Sequence, residues 1–151
     1  MEKMVNLPRK QMYIILIGLG ILILSMSIET LMKVKDIALY DQWFMEFSVE
    51  NTTLTYENAF SVYVTGNLSV YMLRIIVPMA LGIHTYFAYT KIRINGLFIF
   101  MWTVLLLGGI AYIAVTKEFG SLFYYFNIGM YVVMLLTVLS LTNVIEENKT
   151  L

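Results

Sequence analysis

The chain has 151 residues, 60% of them apolar and 13% charged, with a mean hydropathy of +0.77, whereas soluble domains run at about 45–50% apolar and about 25% charged. Ten basic and ten acidic side chains cancel, so there is no cationic surplus of the kind that displaces counterions from nucleic acid. The absence of cysteine excludes disulfides, thiol catalysis and cysteine-ligated metal.

A helix needs roughly 20 apolar residues to cross about 30 Å of hydrocarbon. The uncharged run from Gln11 to Ile28 predicts a first span over about residues 11–31. Its basic start suits a secretory signal, but the run exceeds the roughly 7–15 residue signal core and no small-x-small cleavage site follows, so a retained anchor is expected. An outer segment over about 32–66 is expected to be structured, as a helix plus a loop, because connections this long usually are. Ile37, Tyr40, Phe44 and Phe47 recur at helical spacing and give one apolar, aromatic face, while Asp36, Asp41 and Glu46 fall mainly elsewhere. Such a helix could lie on the bilayer surface with Trp43 at headgroup level, or cap the bundle. It lacks the lysine-rich face of a lipid-adsorbing helix, so packing on the protein's own spans is expected. "NTTLT" at 51–55 reads as a loop or short strand. Thr55 is placed to cap a further helix with Glu57 in its first turn, and that helix runs on into the second span.

Three more spans follow, over about 68–90, 95–116 and 120–143, with short tails. Lipid leaves the backbone no hydrogen-bond partner outside its own helix, so all four are helical. The fold class is thus an all-α integral membrane protein: one membrane domain over 1–151, a four-transmembrane-helix bundle with a structured extracytoplasmic segment between the first and second spans. Lys3, Arg9, Lys10, Lys91 and Arg93 lie on one side, while the segment on the other carries Lys33 and Lys35 but is mostly acidic, with Asp36, Asp41, Glu46, Glu50 and Glu57. The positive-inside rule then puts both termini in the cytoplasm, in a multi-pass protein of the cell membrane. Glycosylation sequons begin at Asn51, Asn67 and Asn148; the pattern is short, and only Asn51 falls on the outer side and away from the bilayer.

Two charges fall inside apolar stretches. Arg74 lies about 26 Å along its span from Lys91, and Glu29 about 28 Å along the first span from Lys10, so the two reach nearly the same depth. Asn127 lies about 9 Å beyond Ser121, at a similar level. At 100° per residue, Tyr71, Arg74, Pro78, Gly82, Thr85 and Tyr89 share a stripe, as do Gly18, Ser25 and Glu29, and again Tyr124, Asn127 and Tyr131. Small and hydroxylated residues mark helix contacts in lipid. Pro78 is expected to kink the second span and to free a carbonyl next to Arg74. Three arrangements fit: Arg74 snorkels to headgroups, pairs with Glu29 as a structural bridge, or lines an outward pocket with it. Glu29, Arg74, Asn127, Tyr124, Tyr71 and Trp43 are the candidate ligand- or partner-binding residues. His84 has no second ligand near it in sequence and is expected to be a hydrogen-bonded packing residue.

No catalytic motif, phosphate-binding loop or mid-span carboxylate is present, and no cofactor or metal site is expected. The expectation is a small multi-pass protein, an accessory or structural subunit or a binding module, without catalytic activity. It would contact a protein, peptide or lipid through the outer segment and the polar cluster. Its partners would be the lipid bilayer and either other membrane subunits or further copies of itself. The alternative is a small transporter or channel component that works as an oligomer.

Overall fold

The computed structural model describes residues 5–50, 55–116 and 119–147. They form α1 (Arg9–Lys35), α2 (Ile37–Glu50), α3 (Tyr56–Thr90), α4 (Gly96–Val115) and α5 (Leu122–Glu147). All but α2 are long and apolar enough to cross a membrane, which makes the chain a multi-pass helix bundle. Their outward faces are as oily as the core: Ile17, Leu24, Ile76, Phe100 and Leu136 are all exposed. A helix that is apolar all round belongs inside a large core or in lipid, and among the described residues nothing covers these faces.

Local chemistry sets the helix ends. Asp36 closes α1 and opens α2. Its N–H returns to the Lys33 carbonyl, and its carboxylate accepts from the N–H groups of Ala38 (3.0 Å) and Leu39 (3.2 Å). These are orphan donors of the next helix, which a side-chain oxygen satisfies. Lys33 and Lys35 in the last turn of α1 suit its negative end. Thr55 caps α3 by accepting from the Asn58 N–H, with Glu57 in the first turn, as its sequence position predicts. Asn95 caps α4 through Phe98 N–H at 3.0 Å.

α1 lies at the centre and packs on both α3 and α5, while α4 packs chiefly on α5. Ile15, Leu22 and Met26 of α1, Leu81 of α3, Leu106 of α4 and Met134, Val138 and Leu141 of α5 are sealed in the core. α3 and α4 meet sparingly. The side chains that join them, His84 with Phe98 and Trp102, lie near their shared turn. At that end the chain start folds back: Val5 and Ile94 exchange two backbone hydrogen bonds of 3.0 and 2.8 Å. We call this the terminal end, and the opposite one, which carries α2, the cap end.

The helix capped by Thr55 runs on into the second span as expected, since α3 is unbroken from Tyr56 to Thr90. It is about 52 Å long, well beyond the hydrocarbon thickness. Pro78 sits within it without ending it. Two other placements differ. Ile37 was expected on the packed face of α2 but is 69% exposed; it is the first residue of that helix, at the turn made by Asp36. Tyr89, expected on the inward stripe of α3, is also exposed, and Ile75, Pro78, Leu81, Thr85 and Ala88 form the buried face. The sequons at Asn51 and Asn148 and most of "NTTLT" lie outside the described residues.

Candidate functional site

The Glu29 carboxylate, 2% exposed on α1, is the hub of a polar knot. Arg74 reaches it from α3 with its guanidinium fork, Nη1 donating to Oε1 and Nη2 to Oε2, both at 3.0 Å. Asn127, fully buried on α5, donates from Nδ2 to Oε2 at 2.9 Å. Lys33, one turn further along α1, places Nζ 3.0 Å from Oε1. Each carboxylate oxygen therefore meets two donors. Asn127 is satisfied in turn, since its Oδ1 accepts from Ser25 Oγ at 2.8 Å. Ser25, Glu29 and Lys33 follow one another at i, i+4 on a single helix face, which is why one strip of α1 can bind both other helices.

An ion pair this dry gains little over a well-packed apolar contact, but removing one partner strands the other charge, at about 3–5 kcal/mol. The bidentate geometry also fixes the register of α1 against α3, because only one relative placement lets both guanidinium nitrogens reach both oxygens. A second link supports the first. Tyr71 on α3 lies 2.8 Å from Ser27 Oγ. That serine donates to the Ile23 carbonyl, so the tyrosine hydroxyl is the donor.

At the cap end, Tyr40 of α2 is buried among the rings of Tyr56, Phe60 and Tyr63 of α3, with centroids 4.8 to 5.3 Å away. Its hydroxyl donates to the Tyr56 carbonyl. Burial, and then the adjacent Asp41 carboxylate, push the Tyr40 phenol above its ordinary range. Tyr56 donates to Asp41 at 2.6 Å, and Tyr63 donates to the Lys33 carbonyl at 3.0 Å. The cap is thereby tied to the turn of α1 that carries the knot.

Of the candidate residues, Glu29, Arg74 and Asn127 come together. Tyr71 joins the same pair of helices through Ser27. Tyr124 is buried on α5, with its ring against Phe119 and Tyr125. Trp43 is in the cap, stacked on Phe47 at 4.6 Å and near Tyr63. Sequence reasoning assigned no site role to Lys33 or Ser25, although the i, i+4 spacing on either side of Glu29 was there to be read. His84 accepts at Nδ1 from the Trp102 indole N–H at 3.0 Å, as a packing histidine does. Among the described residues, no group of three or more His, Cys, Asp or Glu side chains could hold a metal ion.

No protein-family model matches the chain, and neither curated proteins nor solved structures include a match to it.

Proposed function

We propose that the protein is a non-catalytic multi-pass membrane protein, an accessory subunit or binding module, whose cap contacts a protein partner outside the membrane. The observation that carries this reading is the saturation of the knot. Glu29 receives four donors and Asn127 both gives and receives, so the one deeply buried carboxylate among the described residues has no lone pair free to act as a base. Its work is to hold α1, α3 and α5 in register beneath the cap. The charge distribution supports an orientation with the terminal end in the cytoplasm of a cell membrane. Arg9, Lys10, Lys91 and Arg93 gather there, while Asp36, Asp41, Glu46 and Glu57 lie on or beside the cap.

The contact surface in this reading is the exposed apolar rim of the cap. Leu31 and Met32 near the end of α1, and Ile37 and Met45 on α2, are 57 to 69% exposed. The knot residues, with Tyr71, Tyr124 and Trp43, act behind that rim by positioning it.

A photo-crosslinking residue at Met45 in native membranes tests the proposal. It should trap a discrete adduct, either another subunit or a second copy, that the same residue at the bundle-facing-outward Ile17 does not. Absence of any adduct, together with solute flux in proteoliposomes that Arg74→Ala abolishes, would replace this reading with a small oligomeric transporter.

A further inference from the structure

α3 and α4 hold together near their shared turn and part toward the cap end. Between them opens a crevice of about 490 Å³, walled by Leu73, Arg74 and Val77 of α3 and by Val104 and Gly108 of α4, with Met26 and Tyr131 on its floor. That volume falls within the roughly 300–1,000 Å³ of small-molecule pockets. Leu73 and Val104 are 62% and 51% exposed, so the mouth opens sideways from the bundle. Arg74 stands about 26 Å along α3 from Lys91. The crevice therefore lies in the cap-side half of the hydrocarbon layer, just beneath the polar boundary.

Its lining is nearly all hydrocarbon, but one donor on it, the Tyr131 hydroxyl, lacks an acceptor. The Arg74 side chain beside it is 91% buried, with its Nε–H sealed away and without a partner among the described residues. Tyr131 is 2% exposed, and its hydroxyl pairs with no described residue. Gly109 lets this ring lie flush on α4, where a Cβ would come within 2.5 Å of it. Gly108, one residue earlier, leaves open space instead.

We propose that this crevice binds one hydrocarbon chain of an ester-linked membrane lipid, with the ester carbonyl at its head end accepting from the Tyr131 hydroxyl. The chain matches the apolar walls, and the sideways mouth admits it directly from the bilayer. A neutral carbonyl suits this site better than a phosphate does. The Arg74 charge is already matched by Glu29, and a second anion would face that carboxylate. A transmembrane helix suits it less, because its own backbone carbonyls are already used. The inference rests on the four long helices spanning a bilayer, and not on the role of the cap.

The test uses the full chain in phosphatidylcholine nanodiscs doped with phosphatidylcholine that carries a photoactivatable diazirine in one acyl chain. Adducts should concentrate on residues 73–77 and 104–112 over outward-facing positions such as Ile17 and Leu136. Gly108→Leu fills the crevice without meeting any atom within 4 Å of its Cβ, and overpacking of this kind should cut crevice adducts about tenfold. Gly129→Leu, equally open but outside the crevice, should leave them unchanged. An ether-linked analogue should compete less well than the ester against the wild type, and equally well against Tyr131→Phe. Adducts spread evenly over all outward faces, or unchanged in Gly108→Leu, would overturn the proposal. So would a crosslink to a second copy through residues 104–112. No lipid adduct on any helix would sink the spanning reading and this proposal together.

Discussion

Glu29 shows how one residue can be costly to bury and still be required. A lone carboxylate in hydrocarbon is strongly disfavoured, but here two cations and an amide converge on it from three helices. The penalty is met only when the helices are assembled, so the knot makes folding conditional on register. Arg74→Leu should therefore lower stability by about 3–5 kcal/mol, because it leaves the carboxylate without its bidentate partner. Asn127→Leu removes one donor to Glu29 and the acceptor of Ser25, and should cost about 1–3 kcal/mol. Denaturant titration in detergent micelles checks both. Equal effects of the two changes would mean that the ion pair is not the main contact.

Among the helices, the glycines distinguish contacts that can yield from those that cannot. At Gly109 a Cβ would meet the Tyr131 ring at 2.5 and 2.9 Å, whereas at Gly18 it would meet the flexible tips of Met134 and, at ordinary contact distance, Met130. Gly109→Ala should therefore destabilise the α4–α5 contact by about 1–3 kcal/mol, with Gly18→Ala costing clearly less. Thermal unfolding of the two variants side by side measures the difference. Helical periodicity anticipated much at this scale. It placed Pro78 and Thr85 inward on α3, Asn127 and Tyr131 inward on α5, and Tyr40 and Phe44 on one aromatic face of α2. It failed at Ile37, which opens α2 at the Asp36 turn, and at Tyr89, which falls just off the buried face that Thr85 and Ala88 form. It also left Lys33 unassigned, because a lysine at the end of a span reads first as an orientation signal, and only the folded geometry shows its ammonium turned back to Glu29.

For the molecule as a whole, four spans were legible because runs of 16 to 27 uncharged, mostly apolar residues allow little else. Helix order was not legible. When every face of a helix is apolar, composition no longer marks which face meets a neighbour, so neither the central place of α1 nor the parting of α3 from α4 could be read from the pattern. The length of α3 ties the bundle to the cap: at about 52 Å of unbroken helix it exceeds the roughly 30 Å of a hydrocarbon layer, and its Tyr56 end packs on the aromatic cluster of α2. The lack of native cysteine permits a clean topology test with single cysteines at Met45 in the cap and Ile92 at the terminal end, both well exposed. A membrane-impermeant maleimide should label Met45→Cys in intact cells and Ile92→Cys only after permeabilisation. The reverse pattern would invert the proposed orientation while leaving the bundle intact.

The central claim is that a saturated ion-pair knot fixes α1, α3 and α5 together, and charge exchange addresses it most directly. Glu29→Arg with Arg74→Glu reverses the pair but sets an arginine one turn from Lys33, so Lys33→Glu completes the exchange. The Asn127 amide can rotate to turn its carbonyl to the new arginine and its NH₂ to Ser25. In thermal unfolding of the purified protein, each single change should lower the midpoint sharply, and the triple variant should recover most of the loss. A triple variant no more stable than the singles, or single variants that unfold like the wild type, would contradict the account.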